Sequence, residues 1–280
     1  MSISIDPKKI KALALDLDGT LLAPGSVLSD RTVRAVEAAK QRGIKVIIAT
    51  GRAIESTEPF RAALGLEGPM IYYNGAIIMD MPGRKILSST LLDKKAAEFC
   101  VDLAGEMGVY YQAFLSGDGP GIRLMTAQDL PGREMYYKHC GLLAELADLK
   151  EVLRSPEVKG CVKTMFLTEP EVQVILRPRL EEHFGDSVYI AQTLRNFLEV
   201  MNKNVSKGQA LKFFMEKSSI KPEELIAIGD DENDIPMFSA AAYSAAPSGA
   251  KDSVKAAATM VIGSNAEDGV AKFMEEFFGL

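Results

Sequence analysis

The chain has 280 residues, 47% hydrophobic and 25% charged, the make-up of an ordinary globular protein with room for one large or two smaller domains. A formal net charge of −6 argues against nucleic acid or an anionic membrane as the main partner. Cys100, Cys140 and Cys161 have no metal-ligand or CxxC spacing and read as reduced thiols; with no signal-like start and no apolar run near the roughly 20 residues of a membrane span, the expectation is a cytoplasmic protein.

Residues 12–17, "ALALDL", read as a buried strand that carries Asp16 and is followed at once by Asp18. An amphipathic segment at 29–42 predicts a helix, with Ser29 or Asp30 as its cap and Gly43 as its stop. "KVIIAT" at 45–50 is a short strand ending at Gly51, 53–64 the next helix, and "MIYY" at 70–73 a third strand closed by Asn74-Gly75. Residues 76–79 and 85–89 flank Met81-Pro82-Gly83 as a hairpin. A helix at 93–107, a strand at 109–115 and the loop "SGDGPG" at 116–121 follow, then a polar region with helical stretches to about 149. A strand at 161–167, a helix at 169–183 and strands at 187–191 and 197–201 complete the middle. Beyond it come a helix at 207–216, a strand at 225–230 and a helix at 233–241. A short strand around Tyr243, a helix at 252–258, a strand at 260–263 and a last helix at 268–278 close the chain. Continuous apolar strands separated by helices at both ends of the chain predict an α/β fold with a parallel sheet covered on both faces. The middle reads as an inserted α/β domain over 90–196, dividing the first domain into 1–89 and 197–280.

In such sheets ligands gather beyond the carboxyl ends of the strands. Three predicted strand ends carry chemistry here: Asp16-Leu17-Asp18-Gly19-Thr20, Thr50-Gly51-Arg52, and "GDDENDIPMF" from Gly229 to Phe238. Each has a plain reading: a capped turn for the first, a strand end with a helix cap for the second, a solvated acidic turn for the third. Their joint occurrence on one rim favours a site. Residues i and i+2 of a strand point the same way, so Asp16 and Asp18 are expected to face one pocket. A hard cation such as Mg²⁺ would relieve their repulsion, and His139 and His183 lie far from these motifs, against an imidazole-built metal site. Lys207 opens a helical pattern behind Ser206, where a cation is disfavoured by the helix dipole; beside a metal and helix-start amides it would suit a phosphoryl group.

The motifs DLDGTLL, ATGR, YNGA, VSKG, GDDENDIPMF and AEDGVAKFMEEFF, in that order, resemble the haloacid dehalogenase superfamily of phosphohydrolases, most closely its Cof-type subfamily, along the whole chain. The resemblance implies a Rossmann-type parallel core with helices on both faces and an inserted α/β cap that sets specificity. It implies Asp16 as nucleophile, Asp18 as general acid/base, and Mg²⁺ held by Asp16, the backbone carbonyl of Asp18, and Asp230. Phosphate oxygens would be bound by Thr50, the amides of Gly51 and Leu17, and Lys207, with help from Asn233. Asp234 would support the lysine or the metal; Arg52 and Asn74 match recurrent positions in supporting roles. One departure is "AAPSGAK" at 245–251, where the family usually shows a Gly-Asn-Ala turn. The implied activity is Mg²⁺-dependent hydrolysis of small phosphomonoesters (sugar phosphates, nucleotides or cofactor phosphates) through an aspartyl-phosphate, with no nucleic acid, membrane or obligate protein partner. Residues 110–121 are a candidate substrate-contacting stretch and equally a cap strand with its turn, while 134–140 reads as helix packing. Two alternatives are a phosphosugar mutase of the same superfamily and a receiver-like phospho-accepting signalling protein. The second acid of DxD, the length and the insertion weigh against the receiver.

Overall fold

The computed structural model describes residues 5–117, 119 and 121–280, and the chain falls into two compact units, Met1–Leu87 with Ser206–Leu280, and Ser88–Val205. Asp118 and Pro120 of the candidate stretch 110–121 lie outside the described residues.

The chain opens with β1 (Ala12–Leu15), α1 (Asp30–Gln41), β2 (Lys45–Ile48), α2 (Ile54–Ala63) and the strands β3 (Gly68–Tyr72), β4 (Ile77–Met81) and β5 (Lys85–Ser89). All four β1 side chains are buried, as a strand covered on both faces requires. Ser29 caps α1 by accepting from the Thr32 amide at 3.1 Å, and the helix turns Thr32, Ala35, Val36 and Ala39 inward at the three- and four-residue spacing of one face. Gly43 follows with φ +79°.

The second unit holds α3 (Lys94–Met107), β6 (Tyr110–Ser116), β7 (Ile122–Thr126), α4 (Pro131–Cys140), β8 (Glu145–Leu146), α5 (Leu149–Arg154), β9 (Gly160–Leu167), α6 (Pro170–Phe184), β10 (Val188–Leu194) and β11 (Phe197–Asn202). Its sheet runs β10-β11-β9-β6-β7-β8 and is antiparallel except for the β7–β8 pair. Tyr111, Ala113, Leu115, Phe166, Leu198 and Val200, alternate residues of three strands, share one core with Cys100 and Leu103 of α3 and Leu176 of α6. Two sequence expectations are corrected. Residues 197–202 belong to this unit and not to the 197–280 piece, because β11 pairs with β9 and β10. The polar stretch after residue 121 begins with a strand, β7, held by its ladder to β6.

The chain then completes the first unit with α7 (Lys207–Ser218), β12 (Leu225–Ile228), α8 (Ile235–Ala240), β13 (Tyr243–Pro247), α9 (Asp252–Ala257), β14 (Met260–Ile262) and α10 (Gly269–Phe278). Among the described residues its main sheet is five-stranded, β14-β13-β12-β1-β2, and wholly parallel. Register aligns the strand ends: Leu15 lies opposite both Ile228 and Ile48, so β1, β2 and β12 end level. The expected strands ran to 17, 50 and 230; the observed ones stop at Leu15, Ile48 and Ile228, which puts Asp16, Thr50 and Asp230 just past one rim. Among the described residues no helix is long and apolar enough to cross a membrane.

Candidate active site

Asp16 leaves β1 with its amide still bonded to the Ile228 carbonyl (2.9 Å), and its buried carboxylate accepts from Lys207 Nζ at 2.6 Å. Lys207, only 1% exposed, donates equally closely to Asp234 Oδ1, also at 2.6 Å. Asp234 is fully buried, and its other oxygen accepts from the Asp230 and Asp231 amides at 3.0 and 3.1 Å. Carboxylate oxygens of Asp16, Asp230 and Asp234 all lie within 4.8 Å of one another. One ammonium among three carboxylates leaves two negative charges without a partner, which matches a divalent cation bound through hard oxygen donors.

The electrostatics follow from burial. Desolvation pushes the Asp16 carboxyl well above the ordinary aspartate value; Lys207 pulls it down and Asp234 adds to the rise. Burial works against the charged form of Lys207, yet Asp16 and Asp234 more than reverse it and its pKa stands above the ordinary lysine value. Asp230 is pushed up to about 6, first by burial, with the Thr20 hydrogen bond opposing and Asp234 adding.

Local structure explains how these groups are held. Ser206 caps α7 by accepting from the Gln209 amide at 3.0 Å, so Lys207 is the first helical residue, where only its two carboxylates offset the helix dipole. Gly75, with φ +100°, lets the 73–75 turn approach this helix start: a Cβ there would come within 2.4 Å of the Ser206 carbonyl oxygen. Gly19, with φ +74°, does the same for the first loop, since its Cβ would meet Asp230 Oδ2 at 2.1 Å.

Around this centre, Thr50 is buried and its hydroxyl accepts from the Arg52 amide at 3.1 Å. Gly51 lies against Asn74, whose Oδ1 would be 2.8 Å from a Cβ at that position. Asn74 adopts the left-handed conformation (φ +58°), its amide donates to the Thr50 carbonyl at 2.9 Å, and its Oδ1 accepts from Asn233 Nδ2 at 2.9 Å. Leu17 is a buried core residue in the loop between the two acids. Thus Asp16, Lys207, Asp230 and Asp234 come together, and Thr50, Gly51, Asn74 and Asn233 form a second connected group.

Asp18 departs from expectation. Alternation stops with the strand at Leu15, and the Asp18 side chain, 55% exposed, does not join the carboxylate cluster; Arg52 holds it with Nε at 2.6 Å and Nη2 at 2.5 Å. Of the acidic turn, Asp230 and Asp234 face Asp16, whereas Asp231 caps the turn and pairs with Lys251 at 2.7 Å. Thr20 is the group that sequence reasoning missed: buried, it donates to Asp230 Oδ1 at 2.8 Å. Its signal in the sequence is its place in the DLDGTLL motif, directly after Gly19.

The model of one family, the haloacid dehalogenase-like hydrolases, matches residues 13–274. The chain belongs to the haloacid dehalogenase-like hydrolases. It is an enzyme of the phosphoric monoester hydrolase class, and several of its relatives are named phosphatases. A putative phosphatase of Haemophilus influenzae is 32% identical over 274 residues, covering 96% of this chain and 97% of that one. The pyridoxal phosphate phosphatase YbhA of Escherichia coli is 29% identical, covering 94% and 97%. Among solved structures, the Thermotoga maritima protein TM0651 superposes with a TM-score of 0.85 at 29% identity, covering 95% and 97%.

Proposed function

We propose that this chain is a Mg²⁺-dependent phosphatase of small phosphomonoesters that works through an aspartyl-phosphate on Asp16. The observation that carries the reading is the double contact of Lys207 with Asp16 and Asp234, which ties three remote motifs to one point beside Asp230. Asp16, the Asp18 carbonyl and Asp230 would hold Mg²⁺, which when bound would supply positive charge against the negative charge of the phosphoryl oxygens. Thr50, the amides of Leu17 and Gly51, Lys207 and Asn233 bind those oxygens, and Asp234 and Asn74 orient Lys207 and Asn233. The inserted unit acts as a cap that selects the alcohol part of the ester.

Lys207 holds Asp16 Oδ1, so Oδ2 is the attacking atom. It bonds to phosphorus in line, the ester P–O bond breaks, and the departing oxygen takes a proton from Asp18 to leave as alcohol. Asp18, now a carboxylate, takes a proton from water; the hydroxide so formed bonds to phosphorus as the P–O bond to Asp16 breaks. Inorganic phosphate leaves and both aspartates return to their starting forms.

The test is phosphate release from sugar phosphates, nucleoside monophosphates and pyridoxal phosphate, with Mg²⁺ and with chelator. At least one ester is expected to turn over with Mg²⁺ and none with chelator. No turnover of any, or isomerised sugar phosphate without net phosphate release, overturns the reading.

Mg²⁺ is also expected to raise the unfolding temperature more at about pH 7.5 than at about pH 5. The sign is set by Asp230. Its folded-state pKa of about 6 lies above the ordinary 3.8, so the metal-free fold favours the protonated carboxyl and loses that contribution as pH rises through 6. A cation replaces the proton above that point and competes with it below. Thermal melts with and without Mg²⁺ at the two pH values check it.

A further inference from the structure

The proposed reaction gives Arg52 no part, although it is the group that holds the proton donor. We propose that Arg52 is a positioning residue that fixes the plane of the Asp18 carboxylate. This rests on the reading of Asp18 as proton donor. Asp18 lies in a loop past the end of β1 with its side chain more than half exposed. A carboxyl so placed turns freely, and a misplacement of about 1 Å at a reacting group can cost about 10²-fold in rate.

Arg52 removes that freedom. Its Nε donates to Asp18 Oδ2 at 2.6 Å and its Nη2 to Oδ1 at 2.5 Å, a planar fork on a planar carboxylate. The fork is itself anchored: Nη2 also donates to Ser26 Oγ at 2.8 Å, and the guanidinium carbon stands 5.0 Å from the Phe60 ring centroid. The Arg52 backbone is pinned as well, its amide donating to Thr50 Oγ1 and its carbonyl accepting from the Tyr73 amide at 3.1 Å. Each carboxylate oxygen offers two lone-pair sites, so the fork takes one on each and leaves the others for the transferred proton. With Asp18 55% exposed, solvent screening limits what the pair adds to stability. An ammonium would restore the charge and not the plane.

The experiment measures single-turnover release of the alcohol from 4-nitrophenyl phosphate, whose leaving group needs no proton, and from phenyl phosphate, whose leaving group does. Wild type, Arg52→Lys, Arg52→Gln and Asp18→Asn are compared with Mg²⁺ present. Both Arg52 variants are expected to slow the phenyl ester about 10²-fold while the 4-nitrophenyl ester stays within about threefold, with unfolding temperatures near wild type. D18N is expected to show the same leaving-group dependence. Equal loss on both esters in R52K and R52Q, with D18N still leaving-group dependent, overturns the role of Arg52 and leaves that of Asp18 standing. Indifference of D18N to the leaving group overturns the proton-donor reading, and this inference with it.

Discussion

Asp16→Asn is expected to lower phosphate release by at least about 10⁴-fold while leaving the fold at least as stable as wild type. The two halves of this outcome have separate causes. Asparagine has the same shape, and its carbonyl oxygen still accepts from Lys207, but it cannot supply the anionic oxygen that bonds to phosphorus. Stability moves the other way because burial already disfavours the Asp16 charge: its carboxyl stands well above the ordinary aspartate value in spite of Lys207. A folded-state pKa above the unfolded one means that the group stabilises the fold at low pH and loses that contribution as pH rises through the folded value. Burial thus makes the charged form of Asp16 costly to the fold, and a neutral amide relieves that cost. Mass spectrometry of wild type quenched during turnover should show an added phosphoryl group on the peptide holding Asp16, absent from D16N. A D16N enzyme with more than about a tenth of wild-type activity would exclude the covalent route.

What could be read in the sequence was whatever a local pattern dictates. The run "ALAL" is apolar without alternation because β1 is covered on both faces, and Ser29 and Gly43 bracket α1 because a helix start needs an acceptor and the residue after its end adopts positive φ. Partnership in space was not readable. Nothing within 197–202 tells a strand which sheet it will join; the ladder to β9, about 30 residues earlier, decides it. β7 carries no legible pattern because only Met125 and Thr126 of its five residues are buried, too short a stretch to show a period.

The site divides along the same line. Acids at strand ends stand out against an apolar run, and a lysine opening a helix stands out against the dipole, so Asp16, Asp230, Asp234 and Lys207 could be named from the chain and from its resemblance to the family. The hydrogen bond from Thr20 to Asp230 spans 210 residues and the fork of Arg52 on Asp18 spans 34; both depend on register and on where each strand stops. Two fewer residues of strand after Leu15 were enough to take Asp18 out of the carboxylate cluster and give it to Arg52.

Lys207→Met is expected to destabilise the first unit by about 3–5 kcal/mol, with activity lost as well. Methionine fills nearly the same volume, so packing around α7 is kept and the loss isolates the charge. What remains is two buried carboxylates, Asp16 and Asp234, without the ammonium that now lies 2.6 Å from each. Replacing a whole buried ion pair by apolar groups is often neutral; removing one partner is not, because the desolvated charges left behind have nothing to offset them. The same charges set the pH dependence. With Lys207 gone the Asp16 carboxyl is pushed up further, so the deficit should grow as the pH rises and shrink as it falls. The wild type should in turn keep the lysine's contribution at every pH below the unfolded lysine value and lose it only in strong alkali, because the folded-state pKa is raised. Denaturant unfolding of both proteins at about pH 5 and about pH 8 measures the difference directly. Equal destabilisation at the two values would show that the lysine acts through packing rather than charge. In that case Asp16 and Asp234 would not be the reason a cation is buried at the start of this helix.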